Sequence, residues 1–430
     1  MTPGLGVKRW MALILAGVTL IGLGIALALV DFYRTAPQVW VPILSVLSLR
    51  GLPFILRLII FLIAGVGLIF YGIGGLNRAL LRPFLPPGKQ VLDGLSAYRK
   101  RERGPRIVAL GGGTGLSSLL RGLKAYTSNL TAIVTVADDG GSSGELRRSL
   151  GILPPGDIRN CLAALSDDEA LMTQIFQYRF GSGVGLGGHS LGNLFISALA
   201  EITGSFEEAV AESGRVLAVQ GQVLPSSLHD VRLMADIQLP EAGSEVLVKG
   251  ESAIPKTAGQ VRRVWLEPSN PLAFPPAVQA ILSADLVVIG PGSLYTSILP
   301  NLLVPDLAEA LRRTRAQKFF VSNVATQSGE TDGYSCGDHV RTIEKHFGTR
   351  LFDLVLCNNR YANDQEVEWV KVDEDLDQEY SVYCTDLVSK DNPRRHDSDK
   401  LAQAIMDLYN ERTGPVISRE EDPNFANHRA

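Results

Sequence analysis

"VALGGGTGLSSLLRGLK", residues 108–124, joins a short apolar run to four glycines in five positions and then to an amphipathic pattern. Apolar residues at 116, 119, 120 and 123 recur with the period of a helix. The segment reads as strand, tight turn, helix. Gly111, Gly112, Gly113, Thr114 and Gly115 supply backbone that can take positive φ and approach a ligand without a Cβ in the way. The helix start adds unpaired N–H groups and the positive end of a dipole. Together these make a site for phosphate. A turn needed only for helix–sheet packing would require one glycine, not four. The loop is not the dinucleotide fingerprint, because position 116 is leucine, and no Gly-Lys-Ser/Thr follows to make a P-loop. NAD-dependent oxidoreduction and ATP hydrolysis are thereby disfavoured.

Similar units follow. Strands are expected over 106–110, 130–137, 284–290, 318–326 and 352–360, and helices over 160–179, 191–201, 205–219, 305–316, 337–346 and 397–412. The stretch 221–270 differs: "SEVLVKGESAI" and "RVWLEP" suggest short strands in a β-rich insertion, and "VEWVKVD" and "YSVYCTDLV" add late strands. The expected fold is α/β, a Rossmann-like, mostly parallel sheet with helices on both faces. In such sheets ligands bind beyond the carboxyl ends of the strands. Asp138 and Asp139 stand at one such end, placed for ribose hydroxyls, for Mg²⁺, or for capping a helix. "LPPGDIRN" (153–160) sets Asp157, Arg159 and Asn160 after a rigid turn; Arg159 could meet phosphate or bridge Asp157. "GLGGHSLGN" (185–193) carries His189, Ser190 and Asn193 into a helix, and with no acid in sequence reach His189 reads as structural sooner than catalytic. "GPGSLYTS" (290–297) offers Gly290, Gly292 and Ser293 as a second backbone-rich anion site. Two such sites suit a ligand with two phosphates and a sugar.

The front of the chain is of another kind. Residues 10–30 and 58–76 contain no charge, and as helices each is about 30 Å long, the thickness of a bilayer's hydrocarbon core. A two-helix transmembrane hairpin within residues 1–80 is expected; a cleaved signal peptide is the weaker reading, because no cleavage site stands out and a second span follows. Lys8 and Arg9 precede the first run, and Arg78, Arg82, Lys89 and "RKRERGPR" (99–106) follow the second, so both ends should face the cytoplasm. The multi-pass anchor thus belongs to an inner or plasma membrane. Residues 81–104 read as a basic, proline-containing linker, 105–413 as the ligand-binding body, and 414–430 as a disordered tail. Residues 1–106 hold thirteen Lys/Arg against three acids, although the whole chain is at −4. The body is therefore acidic, which argues against nucleic acid as a partner. The four cysteines, Cys161, Cys336, Cys357 and Cys384, show no ligand spacing and are expected to be reduced, buried thiols.

"GGGTGLSSLLRGLK", "TAIVTVADDGGSSGELRR", "LGILPPGDIRNCLAALSD", "GGHSLGNLFISALAEITG", "GPGSLYTSILPNLLVP" and "NVATQSGETDGY" together resemble the YvcK-like gluconeogenesis factors, grouped with the 2-phospho-L-lactate transferases in the CofD-like superfamily. The resemblance covers about residues 105–410. It implies a UDP-sugar ligand such as UDP-N-acetylglucosamine, a regulatory role linking carbon metabolism to cell-wall synthesis and cell shape, no required cofactor, a homodimer, and an unidentified regulated protein. It also implies that Gly140 and Asn323 join the pocket residues above, with His189, Asn193 and Asn323 orienting the sugar. No catalytic residue is assigned. The transferase branch instead implies movement of a phosphorus-containing group with Mg²⁺, held here by Asp138 and Asp139. The membrane hairpin departs from soluble family members, which start close to the first strand.

Overall fold

Ile107–Gly111 forms a strand, β1, whose five residues are all buried, as a run of β-branched and apolar residues covered on both faces demands. The computed structural model describes residues 51–81, 101–166, 169–181, 185–240, 244–361 and 367–414, with scattered positions between 18 and 49. The chain divides into two compact units, 1–94 and 95–430.

In the first unit, α1 (Phe54–Leu81) follows Pro53 and contains the expected span 58–76. Its stretch Phe54–Tyr71 is long and apolar enough to cross a membrane and is not buried within the chain. Of the expected span 10–30, only Val18, Thr19, Gly22, Ile25, Ala26 and Val30 are among the described residues, all helical. The described residues thus establish one apolar helix; the other half of the expected hairpin, most of the linker and the tail lie outside them.

In the second unit, β1 leads into α2 (Gly113–Leu123), which buries Leu116, Leu119, Leu120 and Leu123 as the spacing predicts. β2 (Leu130–Val134) is followed by four helices before the pattern resumes: α3 (Gly141–Leu150), α4 (Gly156–Leu165), α5 (Glu169–Gln177) and α6 (Leu191–Thr203). A fifth, α7 (Phe206–Val216), leads to β3 (Gln222–Pro225). The insertion comprises β4 (Arg232–Gln238), β5 (Glu245–Lys249) and β6 (Gln260–Glu267), with a 3₁₀ turn at Glu251–Lys256. Then come α8 (Pro275–Ser283), β7 (Leu286–Ile289), a π-turn at Leu294–Ile298, α9 (Pro305–Arg313) and β8 (Gln317–Val321). α10 (Cys336–Phe347), β9 (Leu354–Asn358), β10 (Val382–Thr385) and α11 (Ser398–Thr413) complete the unit.

Seven strands form one sheet in the order β10-β9-β8-β7-β1-β2-β3, parallel throughout. The insertion is a separate antiparallel sheet, β5-β4-β6. The chain moves outward from β1 on one side through β2 and β3, then returns to β1's other side with β7. That reversal makes β1/β7 the topological switch point, where the carboxyl ends of parallel strands open a crevice.

Three expectations are corrected. "VEWVKVD" forms no strand; Trp369 makes an isolated bridge to Ala325, while Thr326 and Val370 amides bond across to Glu368 and Val324 carbonyls. The helix expected over 160–179 is two helices, broken at extended Ser166. Cys336 and Cys357 are paired as a disulfide, while Cys161 and Cys384 are free and Cys384 is exposed. The pairing joins the first residue of α10 to β9, two elements that the 21-residue separation gives no reason to associate.

Candidate functional site

The loop after β1 passes between two polar groups. On the β7 side lies a cleft of about 210 Å³ lined by Gly112, Thr114, Gly115 and Ser118, by Pro291–Ser293 after β7, by Asn323–Gln327 after β8, and by Arg394, Arg395 and His396 ahead of α11. Two loops meet here backbone to backbone. A Cβ on Gly115 would sit 2.4 Å from the Pro291 carbonyl oxygen, and Gly113 has φ +62°. Glycine is required at both positions for these two different reasons.

The amide groups of the two loops are not equally available. Thr114 and Gly115 stand in the first turn of α2, where N–H groups have no intrahelical acceptor, and both line the cleft. The Gly113 amide instead donates to the Asp157 carboxylate. After β7, Gly290 donates to Leu110 O at 3.1 Å, Pro291 has no N–H, and Gly292 donates to Asn323 Oδ1 at 3.1 Å. Asn323 Nδ2 returns a bond to Gly292 O at 2.9 Å, so Asn323 clamps this peptide from both sides. Glu330 is buried and accepts from Tyr295 N and Thr296 Oγ1 at the start of the π-turn. Burial pushes its carboxyl up to about 7. The Gly290 and Gly292 amides are thus taken by the protein's own acceptors, whereas Thr114 and Gly115 bring first-turn amides to the lining of the cleft.

Arg394 and Arg395 are what the sequence reading missed. They lie in "NPRRHDSD", between the last strand and the last helix, with no motif to mark them; only the fold carries them opposite the glycine loop. Beside them His396 is buried, its Nε2 3.1 Å from Ser322 O, and burial drives its pKa down to about 4, which leaves a neutral ring at physiological pH.

On the β2 side of the loop sits the second group. Asp138 accepts from Gly140 N at 2.8 Å and hydrogen-bonds Glu251, which arrives from the insertion. Burial, then the charges of Asp138 and Asp157, raise Glu251 to about 9, so at neutral pH it holds a proton beside the Asp138 side chain. Burial and the Asp138 charge raise Asp157 to about 6. Asp139 turns away to accept from Ser252 N at 2.9 Å. Asp138 and Asp139 therefore serve different partners, and among the described residues no three ligating side chains converge on a metal position.

Arg159 is buried and makes no hydrogen bond to Asp157. Its Nη1 donates to Ser190 Oγ and Asn193 Oδ1, and its Nη2 to Asn160 Oδ1 at 2.8 Å, while Nε has no partner. His189 Nδ1 lies 3.0 Å from Ser142 Oγ, which also accepts from Asn193 Nδ2 at 3.0 Å, and His189 Nε2 lies 3.5 Å from Glu145. The network packs the starts of α3, α4 and α6 together. Gly112 is the wall between the groups: a Cβ there would stand 2.6 Å from Asp157 Oδ2 and 3.3 Å from Ser297 Cβ. Of the expected residues, Gly112, Thr114, Gly115, Gly292, Ser293 and Asn323 line the cleft, whereas Asp138, Asp157, Arg159, Asn160, His189, Ser190 and Asn193 gather on the other side.

The family profile described as "2-phospho-L-lactate transferase CofD" matches residues 107–392. A gluconeogenesis factor from Bacillus subtilis is 47% identical over 71% of this chain and 99% of its own length. A relative from Nostoc sp., also carrying the gluconeogenesis-factor name, is 44% identical over 95% of this chain and 92% of its own, so its likeness reaches into the first unit. The crystal structure of a UPF0052-family protein from Bacillus halodurans superposes with TM-score 0.66 at 44% identity, covering 71% of this chain and 99% of that one.

Proposed function

This chain belongs to the CofD family, among its gluconeogenesis factors, and from that premise we propose that it is a membrane-anchored regulator whose cytoplasm-facing body binds a UDP-sugar of the UDP-N-acetylglucosamine type. The observation that carries the reading is the cleft at the switch point, which Thr114 and Gly115 of the first turn of α2 line together with Arg394 and Arg395. Main-chain donors on one wall and cations on the other suit a diphosphate. Asn323, Thr326 and Gln327 would meet the rest of the nucleotide. The ligand acts by favouring one arrangement of the loops around the cleft, which a regulated protein reads; this requires a difference in affinity between two arrangements. Sensing a cell-wall precursor would link carbon metabolism to cell-wall synthesis and cell shape. Anchoring by more than one span, both ends inward, rests on α1 and on the basic residues that flank the two apolar runs.

The test is calorimetric titration of the protein in detergent with UDP-N-acetylglucosamine, with the ligand examined afterwards by ³¹P NMR. Saturable binding that leaves the diphosphate intact is expected. Absence of binding by folded protein would overturn the reading. Breakdown or transfer would favour the second reading, movement of a phosphorus-containing group, for which Glu251, protonated at neutral pH and hydrogen-bonded to Asp138, offers a proton donor next to the glycine loop.

A further inference from the structure

The antiparallel sheet ends on β5, which pairs with β4 alone among the described strands. Its hydrogen-bond register shows which backbone groups face the open side. Ser244 O accepts from Leu239 N at 3.0 Å, and Gly250 N donates to Leu233 O at 2.8 Å. Even-numbered residues therefore turn their polar backbone groups toward β4, and in an antiparallel ladder the alternate residues turn theirs away. Glu245, Leu247 and Lys249 aim three N–H and three C=O groups at the free edge.

Such edges are ordinarily blunted by proline, a bulge or a mid-strand charge. β5 reads Glu245-Val246-Leu247-Val248-Lys249, with charges only at its two ends. Val246 is 39% exposed and Leu247 50% exposed. Neither Glu245 nor Lys249 makes an ion pair with the described residues. Read in the opposite direction the strand is its own complement: Glu245 falls opposite Lys249, Val246 opposite Val248, and Leu247 opposite itself.

We propose that β5 pairs antiparallel with β5 of a second copy of this chain about a twofold axis at Leu247, merging two three-stranded sheets into one of six. The interface is isologous, as a closed dimer requires. Its outward-facing groups are those that exchange bonds in this register, and each Glu245 meets a Lys249 of the second copy. The pairing also bears on the site. β5 continues into Gly250 and then Glu251 and Ser252, which bond Asp138 and Asp139. Joining two copies at β5 braces the segment that delivers Glu251. The proposal does not depend on which ligand the cleft holds.

The experiment measures the mass of the full chain in detergent by sedimentation equilibrium and the amide exchange of Leu247 and Lys249. The wild type is expected to be a dimer with slow exchange at both amides. Glu245→Lys alone, or Lys249→Glu alone, sets like charges opposite each other at two symmetric places and should raise the dissociation constant about tenfold or more. The double swap restores opposite charges and should restore both mass and protection. A monomeric wild type, or a dimer indifferent to either single swap with fast exchange at Leu247, overturns the proposal and leaves β5 open or available to a different chain.

Discussion

Gly112 separates the cleft from the carboxylate group by the thickness of one residue. Gly112→Ala places a methyl group against the Asp157 carboxylate, with Thr135 and Ser297 closing the remaining space. Loss of UDP-sugar affinity by about tenfold or more is expected in calorimetry, from a fold still intact by circular dichroism. Arg395→Ala removes a charged donor from the opposite wall. Charge-assisted bonds contribute about 1.5–3 kcal/mol, so affinity should fall at least about tenfold and become less sensitive to salt. Asp157 predicts a pH effect. Its native pKa is raised to about 6, whereas the unfolded chain releases this proton near about 4. The native state thus binds the proton more tightly, and stability is lost as pH rises between those values and stays lost above them. Asp157→Asn abolishes the titration. The variant should melt above wild type at about pH 8 and match it at about pH 4, the gap amounting to at most about 3 kcal/mol. At this scale the glycine loop was legible, because four glycines at a strand end have few other uses. Arg394, Arg395 and Glu251 were not: each reaches its place from an element far away in sequence.

The contact between α2 and α11 shows what an element contributes to the site. Gly122 lets the two helices approach until a Cβ would meet Ser398 O and stand 2.7 Å from the Ala402 Cβ. Gly122→Ala should therefore push the helices apart, lowering stability by about 1–3 kcal/mol in thermal melts. Affinity should fall too, because α11 follows directly on the segment that holds Arg394–His396 at the cleft; unaltered affinity would mean the helix does not position them. Amphipathic period found α2, α6, α9, α10 and α11 to within a few residues, and buried β-branched runs found β1, β2, β7, β8 and β9. It missed α3, whose sequence "GSSGELRRSL" has two glycines and three serines, residues that favour loops until tertiary packing overrides them. It also misread "VEWVKVD", whose alternating pattern satisfies a strand, although only Trp369 bridges across to the β8 side.

At the scale of the whole molecule, the class of fold followed from alternating strands and helices, but the strand order did not. Nothing local to residues 286–289 says that they lie beside residues 107–110. The relatives from Bacillus match about 71% of this chain over 99% of their own length, a share close to that of the second unit. A protein of residues 101–414 should bind UDP-sugar within about twofold of the full chain and remain soluble without detergent, whereas the full chain should sediment with membranes and resist extraction by salt. A full chain released by salt alone would remove α1 as an anchor.

The placement of β7 beside β1 also orders events in time. The apolar segments of the first unit leave the ribosome before the second unit, so any engagement with a bilayer can begin while that unit is still unmade. The cleft, by contrast, takes its walls from residues 112–118, 291–293, 323–327 and 394–396. A nascent chain that stops short of residue 394 has the glycine loop but not Arg394 and Arg395. The proposed nucleotide site is therefore complete only after residues 394–396 are made, later than the apolar segments that would engage a bilayer.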